Sequence, residues 1–264
     1  MRSMLWHAGD HALWTRLRRG LLLDERRCAA CLTPFTPPAA ADDIRLLCPA
    51  CRGALPRRVA GYCPLCGEPA ALAFSSLAPC GACLRDAPPW KAFRFYGIYE
   101  GLLRQLVLRT KFLPDVAIAR ALGELALPVC RELPVCDALV PMPQHPVKLR
   151  RRGCNPCQEI ARPLALGLEL PLMPQYLRRT ALTRPQTQLR RQARRTDLSA
   201  SFAADPAVDG KKILLLDDTM TTGTSLRYGT RCLLQAGAAA VCVAVVARTT
   251  LHGCVERSFP AVYQ

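Results

Sequence analysis

The stretch Ile213–Ser225 constrains the fold of this chain more than any other segment. It begins with four consecutive apolar residues, a pattern typical of a parallel strand buried on both faces. Two adjacent acids, Asp217 and Asp218, follow where we expect that strand to end, and the pattern after Ser225 predicts a helix over Leu226–Ala236. Ligands of open α/β sheets bind beyond the carboxyl ends of the strands. We therefore predict an α/β fold with a ligand site at this loop.

The composition of the loop indicates which ligand it suits. Small residues that open a helix offer free backbone N–H groups and the positive end of the helix dipole, which together favour phosphate. Gly223 allows the backbone to approach a ligand closely. Hydroxyl groups add further donors on Thr221, Thr222, Thr224 and Ser225. Paired carboxylates beside such a loop suit ribose hydroxyls or a hydrated magnesium ion, so the segment predicts a sugar-phosphate site.

The same thirteen residues resemble the 5-phosphoribosyl-1-pyrophosphate (PRPP) loop of type I phosphoribosyltransferases. The resemblance implies that Asp217 and Asp218 are catalytic residues, which hold the ribose hydroxyls and, through them, Mg²⁺. The implied PRPP-binding residues of the loop are Thr219, Met220, Thr221, Thr222, Gly223, Thr224 and Ser225. An ordinary strand–turn–helix is the alternative, and a Walker-type loop is disfavoured because Gly-Lys-Ser/Thr is absent. Purine-salvage relatives carry a third acid where this chain has Thr221, which disfavours purine salvage.

Eight of the 15 cysteines form four Cys-x-x-Cys pairs between residues 28 and 83. This spacing is typical of metal binding in a reducing compartment rather than of secreted disulfides. Two pairs complete a tetrahedral zinc site that is closed to substrate, so we expect two structural Zn²⁺ ions. Interleaved pairing and a redox dithiol are alternatives. In sequence order the ligands are Cys28, Cys31, Cys48 and Cys51 for the first site, and Cys63, Cys66, Cys80 and Cys83 for the second.

Length and charge bound the remaining possibilities. The chain has 264 residues, which allows one large domain and a small one. Its formal net charge of +16 favours anionic partners such as phosphates or nucleic acid, although a basic soluble surface is the alternative. No apolar run approaches the roughly 18–20 residues of a membrane span, and the amino terminus lacks the apolar core of an export signal. The sequence thus predicts a cytoplasmic protein without a transmembrane segment.

Three segments follow from the order of these features. Residues 1–27 have the pattern of a basic amphipathic helix, which we expect to pack on the protein itself rather than on a membrane. Residues 28–88 form the predicted double zinc ribbon, and residues 89–264 the phosphoribosyltransferase-like domain. Within the latter, apolar patterns predict strands near 93–99, 138–141 and 241–247, and helices over 102–111 and about 116–131.

Basic residues cluster in two places outside the loop. A proline-rich turn after the strand at 138–141 leads to Lys148 and Arg152, which we interpret as PRPP-binding residues that stabilise the leaving pyrophosphate. A solvated basic loop is the alternative. Residues 171–202 are rich in arginine and predict either a mobile flap over an anionic substrate or a surface that faces nucleic acid. A fifth cysteine pair, Cys154 and Cys157, lacks a partner pair nearby, and we interpret it as coincidental.

Taken together, the chain resembles the ComF/GntX family of phosphoribosyltransferase-like proteins. The resemblance rests on the double zinc ribbon, the Asp217–Ser225 loop and four shorter motifs. These motifs are Lys111-Phe112, Val140-Pro141-Met142-Pro143 with His145, Arg152-Gly153-x-Asn155, and Thr183-x-Pro185-Gln186 with Arg195 and Phe202. Departures from the family pattern are Cys154, Pro156 and Asp197. The resemblance implies a parallel sheet flanked by helices with a small hood, and a role in natural competence and in handling single-stranded DNA.

Three functions remain open at this point. The first is Mg²⁺-dependent transfer or hydrolysis at C1 of PRPP, with an unknown acceptor. The second is a binding module that senses PRPP or another phosphorylated pentose, while the zinc ribbon and the arginines bind single-stranded DNA beside competence or recombination proteins. The third is a zinc-stapled scaffold with a vestigial pocket. We favour a DNA-uptake factor that retains a PRPP-binding domain.

Overall fold

The computed structural model of this protein describes residues 25–37, 44–56, 58, 61–69, 78–113, 115–180 and 201–249, without the side chains of Lys148 and Arg151. Two predicted features lie outside these residues: the amphipathic helix, of which only residues 25–27 are described, and the arginine-rich part of the flap over residues 181–200. Within the described residues, no helix has both the length and the apolar character that crossing a bilayer demands.

Eight strands and seven α-helices lie in the described residues. The strands are β1 (Arg26–Arg27), β2 (Pro34–Phe35), β3 (Ala92–Ile98), β4 (Ala138–Pro141), β5 (Leu177–Arg179), β6 (Phe202–Ala204), β7 (Lys212–Met220) and β8 (Ala240–Arg248). The helices are α1 (Pro49–Gly53), α2 (Gly81–Arg85), α3 (Gly101–Phe112), α4 (Val116–Cys130), α5 (Pro146–Arg152), α6 (Pro156–Gly167) and α7 (Thr224–Gln235).

The central sheet has four parallel strands in the order β3-β8-β7-β4. Strands β7 and β8 are the middle strands, and they are near-continuous runs of branched apolar residues because both of their faces are covered. Strands β5 and β6 form a separate antiparallel pair on the chain between α6 and β7. The predicted α/β fold, a parallel sheet flanked by helices, is confirmed.

Alternating side chains of β7 supply two cores, one on each face of the sheet. Leu214 and Leu216 pack in the cluster that contains most of the buried apolar residues of α3, α4 and α6. Ile213 and Leu215 point to the opposite face, where the cluster includes α7 and the β5–β6 pair. This alternation follows from the two-residue period of a strand, and it places helices on both sides of the sheet.

The cysteine-rich segment, residues 28–88, covers β3, the edge strand of the sheet. Its described residues pack into the two cores of the sheet rather than into a core of their own. The amide of Arg58 donates a hydrogen bond to the Tyr96 carbonyl at 2.9 Å, which occupies an otherwise open strand edge. The approach requires Gly97, because a Cβ there would lie 2.1 Å from the Pro56 carbonyl oxygen. The first four cysteines pack with the α3–α4 core, whereas Tyr62 and Cys66 pack with the opposite core.

The predicted boundaries of the strand and the helix on either side of the loop are wrong by a few residues. Strand β7 does not end before Asp217 and Asp218 but continues to Met220, because β8 pairs with it as far as Met220 opposite Arg248. Its other neighbour, β4, stops at Pro141 opposite Leu216, so the acids extend past that strand. Helix α7 correspondingly begins at Thr224 rather than at Leu226.

A second boundary differs on the opposite side of the site. The proline-rich turn after β4 is short, and most of the predicted basic loop is helix α5. The helix forms because Pro146 occupies its first turn and the His145 ring nitrogen Nδ1 accepts a hydrogen bond from the Val147 amide at 3.2 Å. Gly153, with a φ of 76°, ends the helix in the left-handed conformation that favours glycine.

Candidate functional site

Asp217 lies at the carboxyl edge of the sheet, beside the first turn of α6. Because β4 has ended, Cys157 of α6 reaches the acid, and its Sγ donates to Asp217 Oδ1 at 3.2 Å. The same oxygen accepts the amide of Asp218 at 2.9 Å. Asn155 caps α6 through the Cys157 amide and also donates to the Met142 carbonyl at 3.0 Å, which fixes this helix to the end of β4.

Asp218 is held by a different pair of groups. Its side chain accepts a hydrogen bond from the Thr219 hydroxyl at 2.8 Å, and the Lys111 ammonium lies 3.3 Å from the same oxygen, Oδ1. Lys111 also donates to the Thr219 hydroxyl at 2.8 Å. Asp218 is only 8% exposed, so a neighbouring cation is needed to stabilise its charge. Thr219 thus positions Asp218 in this structure.

Burial, and after it the adjacent Asp218 carboxylate, raise the pKa of Asp217 to about 7, while the hydrogen bond from Cys157 opposes the shift. Burial and the two carboxylates also raise the pKa of the Cys157 thiol well above its usual range. Cys157 therefore stays protonated and acts as a donor to Asp217. The acid pair concentrates negative charge that a cation or ribose hydroxyls would satisfy.

The loop of residues 221–225 presents backbone donors without internal acceptors. Within the described part of the chain, no backbone carbonyl accepts from its amides, and α7 has no side-chain cap at its first turn. Gly223 adopts a φ of 74°, which turns the chain into α7. Thr222 and Thr224 are joined by a 2.8 Å hydrogen bond between their hydroxyls. Free amides and hydroxyls at the positive end of a helix dipole form an anion site.

Met220 differs from the other predicted loop residues because its side chain is buried in the core. It lies under the bend, where a Cβ added to Gly223 would come 3.3 Å from the Met220 methyl group. Its carbonyl is also occupied, since it accepts from the amide of Thr249 at 3.0 Å and from Arg248. Met220 therefore shapes the loop from below.

The structure describes the predicted pyrophosphate-binding residues less completely than it describes the acid pair and the loop. Helix α5 carries Lys148 and Arg152 to the carboxyl edge of the sheet because it follows β4. The side chain of Lys148 lies outside the described residues, and Arg152 is partly exposed. Gln144, in the turn before α5, has a buried Oε1 without a hydrogen-bond partner in the described structure.

Arg179, at the end of β5, adds a second buried polar atom to this edge. Its Nε also lacks a partner within the described residues, and burial lowers the pKa of its guanidinium while the charge of Asp217 raises that pKa. The sequence placed Arg179 only in a general basic segment. Its position beside the acids depends on the pairing of β5 with β6 over α7, which local spacing does not reveal.

Cys157 is another functional residue that sequence reasoning missed. In the sequence, Cys154 and Cys157 are only a pair without a partner pair nearby. In the structure, Cys157 forms a group with Asp217 and Asp218 whose ligand atoms all lie within 4.8 Å of one another. Cys154 is not part of that group. Lys111 entered the sequence analysis only through a family motif, because its contact with Thr219 spans 108 positions of the chain.

The cysteine pairs form two groups of four in sequence order, and within each group the sulfurs lie within 4.8 Å of one another. Cys31 and Cys48 are separated by 3.7 Å between sulfurs, and Cys66 and Cys80 by 3.6 Å. Zn–S bonds of about 2.3 Å give a tetrahedral edge of about 3.8 Å, so both groups fit Zn²⁺. Burial raises the pKa of the Cys66 thiol to about 11, so its thiolate requires a nearby cation.

One cavity of about 280 Å³ lies away from these groups, and its lining includes Cys130, Pro134 and Leu168. It is formed by the end of α4, the segment before β4 and the end of α6, so it lies toward the amino ends of the strands. Ligands of open parallel sheets bind at the opposite edge. We therefore locate the functional site at the acid pair and the loop.

Comparison with known proteins agrees with this location. A family model described as a phosphoribosyl transferase domain matches residues 150–260. The DNA utilization protein YhgH of Salmonella typhi is 34% identical over 209 residues, which cover 77% of this chain and 90% of that protein. The chain belongs to the ComF family.

Two further relatives support the assignment. Competence protein F of Haemophilus influenzae is 27% identical over 209 residues, 72% of this chain and 91% of that protein. Competence protein ComFC of Bacillus subtilis is 27% identical over 203 residues, 74% of this chain and 80% of that protein. The expected resemblance to the ComF family is thereby confirmed, and the acid pair and its loop lie inside the matched phosphoribosyl transferase domain.

Proposed function

We propose that this ComF-family protein acts in DNA utilisation and binds PRPP with Mg²⁺ at the acid pair and the loop of residues 221–225. The observation that carries the proposal is the set of loop amides that have no backbone acceptor among the described residues, next to two carboxylates held at the sheet edge. The side-chain cap that commonly satisfies such amides in an ordinary strand–turn–helix is missing at the first turn of α7. The matched domain and the names of the relatives support the same reading.

Each group has a role in this proposal. The amides and hydroxyls of Thr221, Thr222, Gly223, Thr224 and Ser225 hold the 5′-phosphate. Asp217 and Asp218 accept hydrogen bonds from the ribose hydroxyls, and Lys111 and Thr219 keep Asp218 in place. Mg²⁺, when bound with PRPP, neutralises charge on the pyrophosphate. Lys148, Arg152 and the half-buried Arg179 are the cations that we assign to the pyrophosphate side.

Calorimetry with PRPP and Mg²⁺ tests the proposal directly. We expect binding by the wild-type chain and a loss of at least about tenfold in affinity, about 1.4 kcal/mol, for Asp217→Asn/Asp218→Asn. Asp209→Asn is the matched control, because Asp209 is an exposed acid just before the amino end of the same strand. Equal affinity in all three proteins, or no binding by the wild type, would reject the assignment.

The geometry of the site supports ligand binding more strongly than it supports catalysis. The described residues offer no group aligned as a base for an acceptor, so we propose ligand binding as the activity of this chain and transfer to an unknown acceptor as the alternative. Release of pyrophosphate from PRPP that disappears in Asp217→Asn/Asp218→Asn would favour the enzyme. A scaffold with a vestigial pocket would bind no PRPP at all.

We also propose that the protein binds single-stranded DNA in the cytoplasm. The relatives are named for DNA utilization and competence, and the net charge is +16. Phe112 adds a structural reason, because it is 76% exposed and directly follows Lys111 of the site. An exposed aromatic ring beside cations is a stacking platform for an unpaired base. The four-cysteine groups favour a reducing compartment.

Fluorescence anisotropy with a labelled oligothymidine at several salt concentrations tests DNA binding. Substituting alanine at Arg190, Arg191, Arg194 and Arg195 should lower the slope of log affinity against log salt by about 3, from about 0.7 per lost phosphate contact. Phe112→Ala should weaken binding by about 1–3 kcal/mol without changing the slope. A salt slope unchanged by the arginine substitutions would rule out the proposed surface.

A further inference from the structure

Arg248, the last residue of β8, is a buried cation that contacts the second group of four cysteines. Its side chain is 2% exposed, and its Nη2 lies 2.8 Å from Glu68 Oε2. Its Nε donates to the carbonyl of Cys66 at 2.7 Å. Charged groups are buried to this extent when they are paired and hydrogen-bonded. One side of the guanidinium therefore holds the peptide that carries a cysteine of this group.

The other side of Arg248 holds the loop that we assign to phosphate. Its Nη1 donates to the carbonyls of Thr221 at 2.8 Å and of Met220 at 3.2 Å, and also to the Thr249 carbonyl. A trans peptide is planar, so fixing the Thr221 carbonyl also fixes the direction of the Thr222 N–H. In the same way, the Met220 carbonyl fixes the Thr221 N–H. Arg248 thus aims two of the free amides of the loop.

Trp90 supplies an independent bridge between the same two regions. Its ring nitrogen Nε1 donates to the carbonyl of Leu65, within the pair Cys63 and Cys66, at 2.7 Å. The opposite end of the ring lies beneath the bend, where a Cβ on Gly223 would come 3.5 Å from Trp90 Cη2. Two side chains, Trp90 and Arg248, therefore connect the cysteine turn to the loop.

We propose that Arg248 is a positioning residue that couples the second four-cysteine site to the loop of residues 221–225. When Cys63, Cys66, Cys80 and Cys83 hold a metal, the position of the Cys66 carbonyl is fixed. Because Arg248 bonds both that carbonyl and the loop carbonyls, the direction of the loop amides is fixed as well. By linkage, an anion bound at the loop then changes the affinity of this site for its metal by the same factor as the metal changes the affinity of the loop for the anion. The identity of the anion rests on the proposed function, whereas the coupling does not.

The test compares the ¹⁵N-labelled full chain loaded with Zn²⁺ and with the larger Cd²⁺. In the wild type, exchange of the metal should shift the amide signals of Thr221, Thr222 and Gly223. Arg248→Lys should reduce these shifts to roughly half or less, because lysine keeps a charge opposite Glu68 but cannot reach all the acceptors of the guanidinium fork. Glu68→Gln, which keeps the shape and removes the charge, should reduce them as well and serves if Arg248→Lys does not fold.

Arg109→Lys is the matched control. Arg109 makes an equivalent link at the first cysteine site, where it donates to the Ala30 carbonyl at 3.0 Å and pairs with Asp115 at 2.8 Å. This variant should leave the metal-dependent shifts of the loop as they are in the wild type. The coupling would be overturned if the loop amide signals of the wild type were the same in the Zn²⁺ and Cd²⁺ forms, or if they shifted equally in wild type and Arg248→Lys. It would also be overturned if the second four-cysteine site bound no metal.

Calorimetry with PRPP and Mg²⁺ on the same samples separates the two proposals. Coupling predicts that wild-type affinity changes by at least about threefold between the Zn²⁺ and Cd²⁺ forms, and by less in Arg248→Lys. Equal affinity of the two wild-type forms would contradict coupling while leaving PRPP binding intact. Absence of PRPP binding in every form would count against the proposed function, and the amide shifts would still decide whether the loop and the metal site are coupled.

Discussion

At the scale of single residues, Asp217 determines how ligand binding should respond to pH. Its pKa of about 7 is raised by burial first and by Asp218 second. The carboxylate form is the one that accepts hydrogen bonds from ribose hydroxyls, so binding of PRPP with Mg²⁺ should strengthen as the pH rises through about 7. We expect affinity to fall by up to about tenfold per pH unit below that value. Calorimetry from pH 5.5 to 8.5 measures the dependence, and Asp217→Asn should remove it.

The same shift has the opposite sign for stability. A native acid with a raised pKa keeps a proton that the unfolded chain releases near pH 4, so Asp217 stabilises the fold at low pH. That contribution is lost progressively as the pH rises from about 4 through about 7. Denaturant unfolding of Asp217→Asn against wild type should therefore show a difference that changes across this window. An identical pH dependence for the two proteins would contradict the raised pKa.

Cys157 tunes this titration through its hydrogen bond to Asp217. The bond stabilises the carboxylate, so Cys157→Ala should raise the pH midpoint of PRPP binding. Cys157→Ser is the matched variant, because its hydroxyl keeps a donor at the same place and should leave the midpoint closer to that of the wild type. The same calorimetric pH series measures both midpoints, and equal midpoints in the alanine and serine variants would exclude this role.

At the scale of elements, Gly223 is the position where the strand–loop–helix unit tolerates least change. Its φ of 74° and the 3.3 Å approach to Met220 both oppose a side chain. Gly223→Ala should cost about 1–2 kcal/mol of unfolding free energy and weaken PRPP binding. Gly53→Ala is the control, since a Cβ there meets nothing within 4 Å and no positive φ is required. Urea unfolding compares the two, and equal costs would contradict the geometry.

Elements with a local pattern could be predicted from the sequence, and those defined by distant partners could not. The apolar runs that form β7 and β8 and the helix over Val116–Cys130 are visible in the chain itself. The end of β7 is set by its register with β8, which left the predicted boundary four residues short. The contacts of Cys157, Arg179 and Arg248 likewise depend on how helices and strands pack, so the spacing of residues along the sequence does not predict them.

At the scale of the whole molecule, the cysteine-rich segment and the sheet form one folding unit in our interpretation. The segment contributes to both cores and covers β3, and Glu124 of α4 accepts the amides of Arg45 and Leu46 at 2.9 and 3.2 Å. We expect a shortened chain of residues 89–264 to lose its cooperative thermal transition, because it exposes both cores. Chelation of metal from the full chain should lower the transition temperature. A stable, cooperative 89–264 fragment would show instead that the predicted boundary near residue 88 separates independent domains.

The loop amides are the proposed phosphate site, and an amide titration of the ¹⁵N-labelled full chain with PRPP and Mg²⁺ tests this assignment most directly. We predict that the amide protons of Thr222, Gly223, Thr224 and Ser225 move downfield together, as expected for new hydrogen bonds to phosphate oxygens, and that Asp217→Asn/Asp218→Asn requires far more ligand for the same change. Amide signals of the loop that stay in place while PRPP perturbs another surface would contradict it.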